Sequence, residues 1–514
     1  MKQGQSGLAI IGGGQCGTLF LHDLLFQLEK KAGKGQKVPI RILWFDQKGQ
    51  HGYAAPFDPE QPSSLLMNGP TYMLTPSLAR PSVFHDFYRK KTSDDDLDGF
   101  IPRYHYGHFL KKLAQELEDR AHELGIQLVK ISQGVSAIEE NHQGGLSIYS
   151  DTGMMIPVSG VALATGPARN HKQDHLQGIN GYIANPSRLD DFYSSGLDLN
   201  NPCTNIACFG PGASCFDAMA LLENELGYKG NYVVIGQRDV PLWVIRRNRP
   251  VPPDAHFKLY HLSAAQLPCP LNVSDLEEHF NKECQSLDDH ERNPYEMGPE
   301  YPLFSLAAYG HQIYKMWVQA HNPDPLAKAH AKNAFDYMQR KALKTLEATT
   351  SPAMIELYNK LKAEGRILEV KGRGIESQIR KEKGFFTIPV IRQKYGIKLN
   401  YRCQGFINTS PYSREWPAQS IDSASASPSE SLLLRMEKEG LIHKDNSNPF
   451  ALYAPNRGNI ALLGAAADPL WGVHLAALRN GVTAEHFADK LLRQKAPSHA
   501  LTNSGTSTSL KSAS

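Results

Sequence analysis

Two short glycine-rich turns carry the chemistry that can be read from this chain. The first is Gly12-Gly13-Gly14-Gln15-Cys16-Gly17, preceded by the apolar run Leu8-Ala9-Ile10-Ile11 and followed by the helix-like Thr18–Leu25. The second is Gly210-Pro211-Gly212-Ala213-Ser214, preceded by Asn205–Phe209 and followed by Asp217–Leu222. A buried strand, a tight glycine turn and a helix start form a cradle for a dinucleotide. The glycines let a pyrophosphate approach the backbone, and the helix N-terminus offers it free N–H groups. Two such turns in one chain predict two dinucleotides and electron transfer between them. Cys16 and Cys215 lie inside the cradles and read as small packing residues rather than nucleophiles.

The residues expected to complete each site follow the second strand of each unit. The run 38–46 ends on Asp46, where a carboxylate accepts hydrogen bonds from an adenosine ribose. Asn231–Gly236 reads as the matching strand of the second unit. Arg238 follows it, where a guanidinium meets a 2′-phosphate, although Asp239 beside it offsets the charge. That favours NADPH over NADH at the second cradle.

Elements must position these residues. Apolar spacing predicts a helix over 106–124, then a β-rich stretch over 126–164 with turns at 141–145 and 151–153. Residues 254–365 read as mostly helical, with amphipathic spacing over 304–316 and 328–346. Strands return at 367–376, 385–393 and 397–408. Residues 92–98 form an acidic loop, and the Ser/Ala-rich run 420–430 a flexible one. The strand Asn459–Leu463 precedes Gly464 and Asp468, a helix is expected over 475–492, and 496–514 form a disordered tail.

Composition narrows the class. The 514 residues exceed one ordinary core and predict two or three units. A formal charge of +3 without a dense Lys/Arg stripe argues against a nucleic-acid partner. No apolar run is long enough to span a bilayer, and the N-terminus shows no secretory pattern, so a cytoplasmic location is expected. The seven cysteines include no C-x-x-C pair. Disulfide scaffold, structural zinc and dithiol redox centre are disfavoured, and mostly buried, reduced thiols are expected. The histidines of His105-Tyr106-Gly107-His108 lack further ligands at a recognisable spacing, so no metal is assigned.

The order of motifs is cradle, Leu163-Ala164-Thr165-Gly166, second cradle, then strand-Gly-Asp at Gly464 and Asp468. It resembles that of flavoproteins with two dinucleotide-binding domains, relatives of the flavin-containing monooxygenases and amine N-hydroxylases. More narrowly, the chain resembles the bacterial FAD-NAD(P)-binding proteins. Leu65-Leu66-Met67-Asn68, Pro102-Arg103 with Tyr106-Gly107, and Gly210-x-Gly212-x-Ser214-x-x-Asp217 match that group's elements over roughly 7–492. Phe406-Ile407-Asn408-Thr409-Ser410 departs from the Asn-Cys-Thr-Gly-like turn often found there, and Arg238-Asp239 departs from paired arginines.

The resemblance implies an α/β fold of two Rossmann-like domains, the second inserted in the first, with a mostly helical insert. Boundaries are expected at 1–200 for the first part of the FAD domain and 201–400 for the NAD(P) domain, its insert near 254–365, with a return to the FAD domain over 401–495. FAD is assigned to Gly12, Gly13, Gly14, Gln15, Cys16, Gly17 and Asp46, with Thr165, Gly166, Gly464 and Asp468 beside it. Asn68 and Arg103 read equally as flavin or pyrophosphate contacts and as ordinary loop hydrogen bonds. NAD(P)H is assigned to Gly210, Gly212, Ser214 and Arg238. Trp471 to His474 read equally as a cover for the flavin and as a plain helix start.

The reaction read from this arrangement is hydride transfer from NAD(P)H to FAD, with molecular oxygen as acceptor. A flavin C4a-hydroperoxide in a dry pocket would then hydroxylate a small polar substrate. Phe304, Tyr309, Tyr314 and Trp317 of the helical insert read either as a wall of that pocket or as the insert's own core. Two alternatives stay open: a flavin dehydrogenase or reductase with a quinone or protein acceptor, and a non-catalytic redox sensor or scaffold. No catalytic side chain is identified, because neither chemistry requires a diagnostic base.

Overall fold

The computed structural model describes residues 7–69, 71, 74, 77, 80, 82–92, 99–141, 145–166, 171–210, 212–236, 260–263, 265–286, 306, 313–346, 350–392, 396–409, 428–443, 454–455, 459–463 and 483–492. Arg238, Asp239, Gly464, Asp468, Trp471–His474, Phe304, Tyr309, most of the acidic loop and the tail lie outside them.

The chain opens with strand β1 (Gly7–Ile11) and helix α1 (Gln15–Ala32), then β2 (Arg41–Phe45). Helices α2 (Val83–Thr92) and α3 (Arg103–Glu123) precede β3 (Gln127–Ile131). Strands β4 (Val135–Glu140), β5 (Leu146–Ser150) and β6 (Met155–Val158) form an antiparallel meander, and β7 (Gly160–Leu163) returns to the first sheet. β1 is buried at all five positions, as a parallel strand covered on both faces must be. Its neighbours β2 and β7 run parallel to it, with Ile11 opposite Phe45 and Leu163.

The second unit is built on β8 (Tyr182–Ile183), β9 (Asn205–Phe209), helix α5 (Ala213–Ala220) after the short α4 (Leu189–Tyr193), and β10 (Asn231–Gly236). Next come α6 (Val273–Ser286), α7 (313–321), α8 (Pro325–Leu346), α9 (Pro352–Ala363) and β11 (Ile367–Gly374). β12 (Arg380–Glu382), β13 (Phe385–Arg392), β14 (Lys398–Cys403) and β15 (Gly405–Ile407) complete the second sheet. Its order is β12-β13-β11-β10-β9-β15-β8, with β14 on β13. Helix α10 (Pro428–Lys438), strands β16 (Ile442–His443), β17 (Ala454–Pro455) and β18 (Ile460–Leu462), and helix α11 (483–492) follow.

The first sheet has the order β18-β7-β1-β2-β3. It therefore draws strands from both ends of the chain, and the second sheet lies between them in sequence. The fold is α/β, with two Rossmann-like sheets, the first parallel and the second parallel from β11 to β8 with an antiparallel edge of β12, β13 and β14, and the second unit is inserted in the first. β18 pairs in parallel with β7, Leu462 opposite Leu163, which returns the expected Asn459–Leu463 strand to the first sheet.

Three expectations are corrected. The boundaries at 200 and 401 cut through the second sheet, because β15 runs beside β9 and β8 runs beside β15. Residues 405–407 lie inside the strand expected over 397–408, but an apolar run does not say which strand it pairs with, so only the pairing reveals the boundary. The helical insert is shorter than 254–365. Met354, Tyr358 and Leu361 of α9 pack into the core under the second sheet, whereas residues from Leu262 to Ala342 form a separate core. Buried Tyr314 and Trp317 belong to that separate core, and the Trp317 indole donates to the Pro268 carbonyl at 3.0 Å. Finally, the run 420–430 ends inside a helix, since α10 starts at Pro428, where proline suits a first turn. Among the described residues no helix is long and apolar enough to cross a membrane.

Helix α11 closes the first core. Phe487 meets Phe20 edge-to-face with centroids 6.0 Å apart, and Lys31 donates to Asp489 at 2.6 Å. Phe487 is 3 % exposed, so Phe487→Ala leaves a large cavity between α1 and α11. The expected loss is about 3–5 kcal/mol, measured as a shift of the denaturant midpoint. A shift within error of zero would detach α11 from the first unit.

Candidate active site: two cradles at adjoining sheet edges

The first cradle closes on itself through contacts only glycine permits. Gly12 has φ +114°, and a Cβ there would stand 2.2 Å from the Ala164 carbonyl oxygen. A Cβ on Gly17 would stand 1.9 Å from the Gly12 carbonyl oxygen. These two glycines bring α1 and β7 against the end of β1. Gly12 N–H donates to Phe45 O at 2.9 Å, and Gly52 N–H donates to Gly13 O at 2.8 Å, which ties the turn to the β2 side. The Thr18 hydroxyl donates to Gly14 O at 2.9 Å.

Gly14 differs from these neighbours. Its φ is −72°, and a Cβ would meet nothing closer than the Tyr53 carbonyl oxygen at 3.4 Å. The fold does not require glycine there, so the reason left is a close approach from outside. A dinucleotide pyrophosphate at the α1 N-terminus fits that reason. Gln15 directs Nε2 toward the Tyr106 hydroxyl at 3.5 Å. Burial holds that hydroxyl protonated, well above the usual tyrosine range. Cys16 is half-buried against the first core.

Asp46 sits where expected, directly after β2. Its Oδ2 accepts from Gly13 N–H at 3.3 Å, and Oδ1 accepts from Lys48 and Gln50 N–H at 3.0 and 2.8 Å. The carboxylate thus braces the turn that faces the cradle. Thr165 and Gly166 follow β7 at the same edge of the sheet; Gly166 has φ +80°, and no atom of the described residues lies within 4 Å of where its Cβ would stand. Parallel alignment of β18 with β7 brings Leu463 to that edge, its N–H donating to Leu163 O at 2.8 Å.

The second cradle is more open. Among the described residues, nothing lies within 4 Å of a Cβ placed on Gly210, whose φ is +71°, or on Gly212. Gly210 N–H donates to Ile235 O at 2.7 Å, which fixes the turn at the carboxyl edge of β9 and β10. Ser214 stands in the first turn of α5, half-buried. The edge where a parallel sheet's carboxyl ends meet helix N-termini is where such folds bind ligands.

Asn68 and Arg103 turn out to have another partner. Arg103 is 7 % exposed. Its Nε donates to Leu66 O at 2.9 Å, and Nη2 donates to Asn68 Oδ1 at 3.1 Å. Nη1 and Nη2 grip both Asp217 oxygens, each at 2.8 Å. The pair joins the first unit to the helix of the second cradle. Burial pushes the Asp217 carboxyl up, while Arg103 opposes that shift. The sequence showed both residues inside motifs but gave no sign that they meet.

The thiols divide differently from expectation. Cys208, Cys215 and Cys403 are buried, whereas Cys203 and Cys269 are exposed. The Cys208 and Cys215 sulfurs lie 3.2 Å apart beneath the second cradle. Their hydrogen bond and their burial push the Cys208 thiol up, and Cys208 and Cys215 pack in the core of the second unit. The Asn408-Thr409 stretch closes the second unit, with the Thr409 hydroxyl donating to Phe209 O.

Comparison with known proteins gives these cradles a context. Residues 9–168 match the FAD-NAD(P)-binding family, the group that the motifs resemble. No curated protein matches the sequence. Among solved structures, the fold is similar to the ornithine N-hydroxylase of Kutzneria sp. 744, solved with reduced FAD, NADP+ and L-ornithine. The TM-score is 0.55 at 12% identity, covering 96% of this chain and 100% of that one. Ornithine hydroxylase from Pseudomonas aeruginosa gives 0.54 at 12% identity, over 96% and 99% of the two chains. L-lysine 6-monooxygenase from Pseudomonas syringae gives 0.52 at 12% identity, over 96% and 100%. The chain shares the two-dinucleotide-domain fold of these proteins over nearly its whole length.

The geometry separates two kinds of glycine. Gly14→Val should fold, as judged by circular dichroism, yet purify without FAD. Gly12→Ala should fail at the level of folding, because its Cβ would overlap backbone. A Gly14→Val protein that retains full flavin would remove the pyrophosphate from this turn.

Proposed function

We propose that this protein is an FAD-dependent, NAD(P)H-using monooxygenase that hydroxylates a small polar substrate. One observation carries the reading. Two glycine cradles lie at the carboxyl ends of the parallel strands β1 and β9, where among the described residues a Cβ would meet nothing closer than 3.4 Å at Gly14 and nothing within 4 Å at Gly210 or Gly212. Each cradle fits one dinucleotide, and a chain that holds two can pass a hydride between them.

The first cradle would hold FAD. The N–H groups opening α1 would face its pyrophosphate, Asp46 the ribose, and Thr165 and Gly166 the adjoining edge, with Gly464 and Asp468 assigned to it from the sequence motif alone. The second would hold NAD(P)H on Gly210, Gly212 and Ser214, with Arg238 assigned to a 2′-phosphate from its place in the sequence after β10. Bound FAD supplies the redox chemistry, accepting a hydride and activating oxygen. The chain's own part is to bind, orient and keep water away. Buried Phe57, Phe84, Tyr106 and Phe109 pack ring against ring behind the first cradle, and the protonated Tyr106 hydroxyl adds no charge there.

Molecular oxygen is the acceptor in this reading, since the one close thiol pair, Cys208 and Cys215, lies under the second cradle with Cys208 held protonated. The neighbours of similar fold act on ornithine, lysine and cadaverine, so a primary amine is the first substrate class to test. Exposed Cys203 and Cys269 thiols accord with a reducing compartment, and the cytoplasm is the proposed location.

Anaerobic stopped-flow absorbance, followed by mixing with oxygen and a panel of primary amines, tests the reading. NADPH or NADH should bleach the flavin, and one amine should couple oxygen uptake to hydroxylamine formation. Faster reoxidation by a quinone than by oxygen would reassign the protein as a reductase. Gly212→Val should keep its flavin, because no atom of the described residues lies within 4 Å of the new Cβ, while losing most of its reduction by nicotinamide nucleotide. Reduction at the wild-type rate would move the nucleotide elsewhere.

Arg238→Ala should raise KM for NADPH roughly ten- to a hundredfold, the worth of a hydrogen bond to a charged group, and leave NADH nearly unchanged. Equal effects on both nucleotides would free Arg238 of this role.

A further inference from the structure

We infer that the buried Arg103–Asp217 ion pair is a positioning contact that sets the angle between the two cradles, and so governs hydride delivery rather than the holding of either nucleotide. This rests on the proposed function. Asp217 lies three residues beyond Ser214, on the helix whose N-terminus forms the second cradle. Arg103 is the first residue of α3, in the first unit. The guanidinium is engaged at Nε, Nη1 and Nη2, and both carboxylate oxygens are taken. A two-pronged contact fixes direction as well as distance, which a single ammonium cannot do.

The surrounding joint reinforces the pair. Arg103 N–H donates to Leu65 O at 2.8 Å, and Met67 N–H donates to Ile101 O at 2.8 Å. The Leu65–Asn68 segment is thereby stitched to the start of α3. Leu65 itself is fully buried, and it packs with Cys215 and Phe216 in the core of the second unit. One short piece of the first unit therefore presents an apolar anchor and a charged fork to the same helix. Leucine packing tolerates rotation. The fork does not.

A purely structural ion pair and a positioning one predict different outcomes for a double replacement. Removing one partner strands a buried charge, whereas replacing both with apolar groups of similar volume restores stability. Arg103→Met and Asp217→Leu should each lower the melting temperature, and the double variant should recover it. In the double variant, FAD content and the NADPH concentration for half-saturation should stay near wild type. The limiting rate of flavin reduction should fall on the order of a hundredfold, the effect of misplacing reacting groups by about an ångström. A double variant with restored melting temperature and wild-type limiting rate would overturn the inference.

Arg103→Lys covers the case in which the double variant fails to fold. It keeps the charge but not the fork, and should slow reduction without raising half-saturation; an unchanged rate overturns the inference equally. Wild-type flavin that neither nucleotide reduces would defeat the proposed function instead. Deuterium exchange still reads the joint in that case. Arg103→Lys should lose protection at Leu65–Met67 while Gly12–Gly17 stay protected, and unchanged protection at Leu65–Met67 sinks the positioning role.

Discussion

Backbone pressed directly against backbone is the constraint on which the first unit depends. The ends of β1 and β7 and the start of α1 meet at Gly12 and Gly17, at separations where any Cβ would overlap a carbonyl oxygen. With those strands so close, the sheet edge presents N–H groups and no side chains at one spot, and an anion can reach the helix N-terminus. Asp46, Gly52 and Trp44 then hold the turn from the β2 side, with the Trp44 indole directed at Gly12 O at 3.3 Å. The burial of Trp44 between these elements follows from the same closeness.

The two units are joined by chemistry of another kind. Apolar contact alone would let the inserted unit slide against its host, since dispersion and burial have little directionality. The joint at Leu65–Asn68 adds a charged, geometrically demanding pair to an apolar anchor. Burying such a pair carries a desolvation cost that its Coulomb attraction and hydrogen bonds must offset. Four hydrogen bonds to one guanidinium supply that offset here. The two termini of the insertion lie near each other because β8 and β15 are neighbours in one sheet, so the second unit enters and leaves at a single edge.

The helical insert stands apart from both sheets. Its core of Leu262, Leu276, Trp317, Phe335 and their neighbours is distinct from the core under β9 and β10. A satellite core of this kind lets a segment be carried between β10 and β11 without disturbing their parallel pairing, Tyr232 opposite Ile367. Helix α9, by contrast, is the true crossover of that pair, packed on the sheet through Met354, Tyr358 and Leu361.

The sequence by itself determined the local features: both cradles, the strands β1, β9 and β10 within a residue or so, and Asp46 at the end of β2. Glycine spacing and apolar runs are written in consecutive residues, so they survive without tertiary information. Even the return of β18 to the first sheet was legible, because a short apolar strand near the C-terminus has no core of its own. Tertiary structure alone decided what the long-range pairings are. β15 beside β9 unites residues about two hundred positions apart in sequence, and Arg103 meets Asp217 across 114 positions. Periodicity reports which face of an element is buried, never against what. The sequence left Arg103 open between a cofactor contact and a hydrogen bond within the protein, because the carboxylate it grips stands in the other unit.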